Sequence, residues 1–456
     1  MSKAKRIWYL ALGPVLGLML FFAIPSLELP ARITAAVFAL AIFYWVTEVI
    51  PLFVTAILAP FLLMLLLGPV ARWVGFKSFG HAQFMGSFAS PVVVLMFGGF
   101  FMARVFSTSN LDVSFSTWLL KRLGKRPAIV LLGVMGLTAF LSMWMSNTAT
   151  TAIMVAAMLP VVKDLPRDSN IGRSLMLGIP FAANLGGMGT PIGTPPNAIG
   201  LGLLFAGGYK ISFFGWMVAA MPPMLILLLL VWGLLLLLLP PESKTMVFDF
   251  STPVKSTNKK RVYAVMLVTI LLWLTDALHG IPPSIVALVP VLALTVMGVA
   301  GKRDIQELSW DVILLIGGGM SMGVAVKETG LSEAIINALS LGDTALFISL
   351  SVFCLVITGL AMFMSRTASA SILVPLAIAF GTRNPVLFGV TVSLSVSLAM
   401  ILPVSTPPNA IAYGSGWVRI RDMLIIGLLV AVFGLILTVS YEYCLLEVLR
   451  FGDRYH

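Results

Sequence analysis

The hexapeptide TPPNAI stands at residues 194–199 and recurs letter for letter at 406–411. Each copy lies within a long apolar run, 174–207 and 386–414. A proline lacks the amide hydrogen and its ring crowds the preceding turn, so Pro195-Pro196 and Pro407-Pro408 predict two broken helices. Carbonyls freed by a break are tolerated at membrane depth only against protein or a wet cavity. A single break reads as a packing kink. Two matched breaks predict a polar site built twice inside an apolar bundle, with Thr194, Pro195, Pro196 and Asn197 on one side and Thr406, Pro407, Pro408 and Asn409 on the other.

Two further pairs share the order of these copies. SNTATTAI at 146–153 matches SRTASASI at 365–372, and LMFGGFFMA at 95–103 echoes LLIGGGMSM at 314–322. The offsets are 219, 212 and 219 residues for the tips, the hexapeptides and the glycine runs. One unit is therefore expected over 32–240 and a second over 261–456, after a first span within 1–31 and across a polar cytoplasmic linker at 241–260. The runs 128–162 and 345–382 are each two apolar arms joined by a short polar tip, which predicts a re-entrant hairpin because a true loop would have to reach water. Eleven crossings and two re-entrant hairpins follow. Five crossings per unit is an odd number, so the second unit is expected upside down relative to the first. Inverted repeats with discontinuous helices mark secondary transporters, with the site near the midplane.

The composition agrees with this reading. The 456 residues have a mean hydropathy of +1.04 and 10% charged residues, against about 25% in soluble domains. Many apolar stretches reach the roughly 18 residues that cross a hydrocarbon core of about 30 Å. The fold class is all-α polytopic membrane protein. The net charge of +11 then belongs to loops and not to a nucleic-acid partner. With the N-terminus inside, nineteen of the 29 Lys and Arg fall on cytoplasmic segments and eight on outer ones, leaving Arg104 and Arg366; this is the positive-inside bias, and it places the C-terminus outside. The start, MSKAKRIWYLALGPVLGLMLFFAIP, lacks an A-x-A cleavage site and reads as an uncleaved span. The absence of an N-x-[ST] sequon fits a bacterial inner membrane.

No HExxH or P-loop pattern occurs, His81, His279 and His456 are far apart, and Cys354 and Cys444 sit in apolar runs. Nothing supplies a nucleophile with its base or a metal site, so an enzyme is not expected. A channel is a different class again, and inverted broken helices favour alternating access over it. At the hairpin tips, Ser146, Asn147 and Thr148 stand where a second arm begins, and helix-start N–H groups with their positive dipole end favour an anion. Serine and threonine there also cap the helix. Proton-driven carriers rely on intramembrane carboxylates or histidines. Here nearly all 18 carboxylates lie in or beside predicted loops, and Glu48 reads as structural at a membrane edge. Neutral oxygens, dipoles and one arginine suit an anionic substrate.

TEVIPLFVTAIL at 47–58, SNTAT at 146–150, GTPIGTPPNAI at 189–199 and LPVSTPPNAIAYGSG at 402–416 carry a resemblance. Over essentially its whole length the chain resembles the divalent anion–sodium symporters, carriers of dicarboxylates, citrate or sulfate. The resemblance implies a homodimer in lipid, with a scaffold domain and a transport domain that moves as an elevator. It implies substrate contacts from Ser146, Asn147, Thr148, Ser365, Thr367, Thr406 and Pro407. It also implies a first sodium site formed with Ser142, Asn147 and Gly193, sodium being the coupling ion and no cofactor being needed. In the second copy Ser405 takes the place of Gly193.

The departure is at 366, where the resemblance leads one to expect asparagine as a ligand of a second sodium. Arginine has five donors and no acceptor, so it cannot ligate a cation. Two unit charges about 4 Å apart repel by about 4 kcal/mol at an effective dielectric near 20. Arg366 is therefore expected to replace the second sodium and to hold a substrate carboxylate by bidentate hydrogen bonds; the alternative is that it snorkels to a wet vestibule. Two functions stay open. One is sodium-coupled transport of C4-dicarboxylates such as succinate, malate or fumarate, and the other is sodium-independent dicarboxylate exchange.

Overall fold

A computed structural model of the chain describes residues 3–74, 81–166, 168–243, 245, 258–339, 346–381 and 383–448. Most of the expected linker at 241–260 and the extreme C-terminus lie outside the described residues. Every regular element among the described residues is helical. Among the described residues seven helices are long and apolar enough to cross a membrane: Lys5–Ala23, Leu29–Thr47, Leu52–Val70, Phe84–Thr108, Phe213–Leu238, Trp310–Glu328 and Ile420–Val448. Others, including both arms of each tip and the segments Pro195–Ala206 and Pro385–Val396, are apolar but shorter. Apolar residues ring these helices on all sides, as in a membrane bundle. On Phe213–Leu238, for instance, Leu227, Val231 and Leu235 are buried while Leu225, Leu229 and Leu237 are exposed.

The order of elements repeats as the motifs do. Pro91–Thr108 and Trp310–Glu328 each precede a helical hairpin, made of Pro127–Ser142 with Asn147–Lys163 in the first copy and Leu346–Ala361 with Arg366–Phe380 in the second. A broken helix follows, Asn170–Gly186 then Pro195–Ala206, and Pro385–Val396 then Pro407–Gly414. A long helix closes each copy, Phe213–Leu238 and Ile420–Glu442. The glycine runs explain how the helix before each hairpin is seated. A Cβ on Gly98 would stand 2.0 Å from the Ala287 carbonyl oxygen, and one on Gly318 would stand 2.0 Å from that of Ala56. In lipid, where apolar side chains gain little by leaving their solvent, such close backbone packing holds helices together.

The prolines act differently from the expectation that they break the helices. Both pairs occupy the first two positions of a new helix, where the amide hydrogen has no intrahelical partner and its loss is free. The interruptions lie upstream, at 187–194 and 397–406. The asparagine of each hexapeptide holds its own interruption shut. Asn197 Nδ2 donates to the carbonyls of Gly187, Met188 and Thr190 at 3.0, 3.2 and 2.8 Å. Asn409 Nδ2 donates to Met400 and Leu402 at 2.9 and 3.0 Å. Buried carbonyls need such partners, so the motif combines a helix start with the amide that satisfies the break behind it.

Charged contacts tie the copies together at one end. Arg173, at the start of the first broken helix, is buried and paired with Asp422 at the start of the last long helix; Nε lies 3.1 Å from Oδ2. Arg419 reaches Asp168 at 3.0 Å beside it, in an exposed pair. The Glu242 carboxylate accepts from the Asn170 N–H and, at 3.3 Å, from the Ser169 hydroxyl. Burial pushes this carboxyl up, but these bonds to its charged form win and hold it below the ordinary range. Toward the other end, Phe213 stacks on Trp273 at 4.8 Å and donates its N–H to Asp276 at 2.8 Å. Arg104 pairs with Glu307 beside Arg303, at the end opposite Asp276. One carboxylate departs from the expectation of loop positions. Glu442 is fully buried in the last long helix, and neither oxygen has a hydrogen-bond partner.

Candidate functional site

A cavity of about 740 Å³ lies where the two copies meet. Four helices begin at its wall. Ser146, Asn147 and Thr148 line it from the first hairpin, Ser365, Arg366 and Thr367 from the second, Thr194, Pro195 and Pro196 from the first broken helix, and Thr406, Pro407 and Pro408 from the second. Each start presents the positive end of its dipole, about half an elementary charge for a long helix; the two hairpin starts add unpaired N–H groups, while the Pro-Pro starts have none at their first two positions. Caps are in place at two of them: the Ser146 hydroxyl accepts from the Ala149 N–H at 3.5 Å and the Thr406 hydroxyl from the Asn409 N–H at 3.3 Å. Every residue for which the sequence implied a substrate contact lines this one cavity. Asn197 and Asn409 stand behind it, holding the breaks.

The three residues expected to hold sodium also converge. The Ser142 hydroxyl is 2.7 Å from Asn147 Oδ1 and 2.8 Å from the Ala183 carbonyl oxygen. A Cβ on Gly187 would stand 2.5 Å from Asn147 Oδ1, and a Cβ on Gly193 would stand 2.5 Å from the Gly187 carbonyl oxygen. Only glycine lets these backbones approach an amide side chain so closely. The donor set is neutral oxygen throughout, which suits a hard cation.

The second copy is built differently at the equivalent point. Arg366 is 9% exposed, and its Nε and Nη2 both donate to the Ala399 carbonyl oxygen, at 3.2 and 3.1 Å. Position 399 lies 212 residues after Gly187, the offset of the hexapeptides. The guanidinium thus meets the carbonyl matching the one that helps to form the cradle in the first copy. The fork expected on a substrate carboxylate is spent on a backbone carbonyl, leaving Nη1 and one Nη2 hydrogen for the cavity that Arg366 lines. Ser405, in place of Gly193, turns its hydroxyl onto the Leu402 carbonyl at 2.6 Å.

Two lining residues escape the motif reading. Glu48, expected to be structural, ends Leu29–Thr47 in a left-handed conformation and lines the cavity. Asn184 lies in the last turn of Asn170–Gly186 and lines the cavity too. Its Nδ2 donates to Thr406 Oγ1 at 3.3 Å and to Asn409 Oδ1 at 3.0 Å, across more than two hundred residues of chain. Its own oxygen is buried without a partner. The repeat gives no hint of Asn184, because the positions 212 and 219 residues later are Val396 and Pro403. The one signal was an isolated amide in an otherwise apolar FAANLGG.

Comparison with known proteins gives consistent matches. The family model of the sodium:sulfate symporter transmembrane region matches residues 4–449. A transporter of Haemophilus influenzae is 31% identical over 443 residues, covering 91% of this chain and 92% of its own length. A sodium-dependent high-affinity dicarboxylate transporter of Caenorhabditis elegans is 31% identical over 481 residues, covering 90% and 82%. The sodium-dependent dicarboxylate transporter SdcS of Staphylococcus aureus is 28% identical over 493 residues, covering 98% and 92%. Among solved structures, the YdaH transporter of Alcanivorax borkumensis superposes with a TM-score of 0.58 at 13% identity, over 81% of this chain and 88% of the other. MtrF of Neisseria gonorrhoeae gives 0.54 at 14%, over 84% of each chain. These two share the fold.

Proposed function

The chain belongs to the sodium:sulfate symporter family, and we propose that within it this multi-pass membrane transporter carries C4-dicarboxylates such as succinate, malate or fumarate, coupled to one sodium ion. The observation that carries the reading is the convergence of four helix starts and Arg366 on one cavity. That much positive potential, with no carboxylate but Glu48 in the wall, binds a divalent anion. One carboxylate of the substrate is held by the N–H groups and hydroxyls of Ser146, Asn147 and Thr148, and the other by Ser365, Thr367 and Thr406 with the free edge of Arg366. Two anchored ends select a short diacid over a monoanion. Sodium binds at Ser142, Asn147 and Gly193, with the carbonyls of Ala183 and Gly187 within the same cradle. Relatives named as sodium-dependent dicarboxylate transporters support the substrate and the ion.

The same reading assigns eleven crossings, re-entrant hairpins, inverted units and a homodimer in a bacterial inner membrane, with the N-terminus inside and the C-terminus outside. Glu48 and Ser309 at the cavity lie on the end of the bundle that carries Lys302 and Arg303, which the positive-inside rule makes cytoplasmic. The cavity therefore opens inward, and an elevator movement of the hairpins and broken helices takes it to the other side. Arg366 favours a second reading, sodium-independent exchange, because it already satisfies the carbonyl that a second cation would need.

The deciding experiment is radiolabelled succinate uptake into proteoliposomes, with an inward sodium gradient, with potassium alone, and with or without internal succinate. Sodium-driven uptake into empty vesicles establishes symport. Uptake that needs internal succinate and ignores sodium establishes exchange. No transport of succinate, beside transport of citrate or sulfate, would overturn the dicarboxylate assignment.

A further inference from the structure

We propose that Asn184 is the residue that couples cation binding in the first-copy cradle to the substrate-facing start of the second broken helix. The inference rests on the sodium reading given above and assigns a path that reading lacks. Residues 183–187 are one wall of the cradle: Ala183 offers its carbonyl to the Ser142 hydroxyl at 2.8 Å, and Gly187 packs against Asn147. Asn184 sits inside that short segment, yet its side chain serves the other copy. Through Nδ2 it bonds the Thr406 hydroxyl and the Asn409 amide oxygen. Asn409 in turn holds the carbonyls of Met400 and Leu402, next to the Ala399 carbonyl that Arg366 occupies. One amide thus joins the wall of the cation cradle to the hydroxyl and the break that face the substrate.

Two features separate this from a packing pin. The tie is one-way: Val396 and Pro403, at the repeat-related positions, offer no reciprocal bond. And Asn184 Oδ1 is buried with no partner, an arrangement that costs stability until something bonds to it. The adjacent cradle, when filled, brings a cation or its water toward that open acceptor. Filling the cradle orders residues 183–187 and, through Asn184, fixes Thr406 in the orientation that receives the anion. Cation and anion then bind cooperatively although they touch different copies of the repeat.

The test needs no substrate. Ala410, exposed at the cavity one residue after Asn409, is replaced by cysteine in the full-length protein after Cys354 and Cys444 are replaced by alanine and serine. Maleimide labelling of Ala410→Cys is timed in NaCl and in KCl, beside thermal unfolding in the same salts. Sodium is expected to slow labelling about fivefold or more, the lower end of ordinary couplings. Asn184→Ala should abolish that difference while sodium still raises the unfolding temperature. Asn184→Asp keeps the volume and removes the donor, and Thr406→Val removes the receiving hydroxyl; both should act alike, so a poorly folded alanine variant does not leave the question open. An undiminished sodium effect in the Asn184 variants overturns the coupling. So does labelling indifferent to sodium in a protein that sodium stabilises. If sodium neither stabilises nor protects, the sodium reading itself falls and the coupling with it.

Discussion

Arg366→Asn is the substitution on which the assignment of the site turns. In the structure the guanidinium is buried and gives two hydrogens to the Ala399 carbonyl. Removing it strips one buried acceptor of its partner, at about 1–3 kcal/mol, a loss that a large bundle survives. The functional effects are larger and of opposite sign. An anion loses a charge-assisted hydrogen bond worth about 1.5–3 kcal/mol, or about 10- to 150-fold in affinity at 1.36 kcal/mol per decade. A cation at the same carbonyl is relieved of about 4 kcal/mol of repulsion for a charge near 4 Å at an effective dielectric near 20, close to three decades. Succinate uptake by Arg366→Asn should therefore show a raised KM at low sodium, restored at high sodium, with the Hill coefficient for sodium higher by about one than in the parent, by the same charge argument. Arg366→Lys keeps the charge but not the fork, and should weaken succinate without gaining the second sodium. If Arg366→Asn keeps both the succinate KM and the sodium dependence of the parent, the arginine neither replaces a cation nor touches the anion. It then only fills the break.

Other expectations follow from single contacts. Gly193→Ala places a Cβ 2.5 Å from the Gly187 carbonyl oxygen; overpacking of that kind costs about 1–3 kcal/mol, and uptake should fall while helix content by circular dichroism stays, whereas Gly68→Ala, with nothing within 4 Å, should be silent in both. Asp422→Leu leaves the buried Arg173 charge alone and should cost about 3–5 kcal/mol of stability, Arg173→Leu leaves the half-buried Asp422 and should cost less, and most of either loss should be recovered when both are replaced. Arg419→Ala, at a pair 57% and 91% exposed, should cost no more than about 1 kcal/mol; thermal unfolding of the four variants checks both. For Asp276, burial pushes the carboxyl above its ordinary value, against the bond from the Phe213 N–H. Its stabilising share is complete below the unfolded value, near pH 4, and is lost as pH rises through the higher folded value. The unfolding temperature of the parent should thus fall more steeply from about pH 4 upward than that of Asp276→Asn, whose amide oxygen still accepts from Phe213; equal slopes would refute this.

What could be read from residues alone was whatever the chain states twice. TPPNAI and the SNT and SRT tips located the cavity wall because duplication at a fixed offset separates a built site from an isolated kink. The mechanical role of the prolines was legible only in part. Pro195 and Pro407 disclose that a helix cannot continue through them, but not whether it ends there or starts there, and the amides of Asn197 and Asn409 that satisfy the upstream break face it only in three dimensions. Asn184 was hidden because its partners are in the other copy and its repeat-related positions are apolar. Glu442 was hidden because one carboxylate in a long hydrophobic run barely changes the hydropathy that identifies the run. Arg366 was conspicuous in sequence, yet its partner was not: a carbonyl carries no letter.

That carbonyl bears on the choice between symport and exchange. A buried fixed charge moves with the element that carries it, so the net charge of each state decides what the membrane potential does. With Arg366, one sodium and a dicarboxylate dianion, the loaded site is neutral, while the empty site is left with one positive charge. An elementary charge crossing the whole field is worth about 2.3 kcal/mol per 100 mV, so an inside-negative potential of about 100 mV opposes the outward return of the empty site by up to that much, about fifty-fold in rate at the limit of full displacement, using about 1.36 kcal/mol per decade. In a symport cycle that step is obligatory. In exchange it never occurs, because the site crosses loaded in both directions. Sodium-driven succinate uptake should therefore be slowed when a potassium diffusion potential, set with valinomycin, makes the vesicle interior negative, and succinate–succinate counterflow in the same vesicles should not change. Neutralising the site in Arg366→Asn should move the penalty to the loaded step, where one sodium and a dianion leave one negative charge, so that succinate–succinate counterflow at low sodium becomes sensitive to the potential. If uptake is accelerated by an inside-negative potential, a net positive charge travels inward with the substrate, more than one cation accompanies each dianion, and Arg366 has not taken the place of the second.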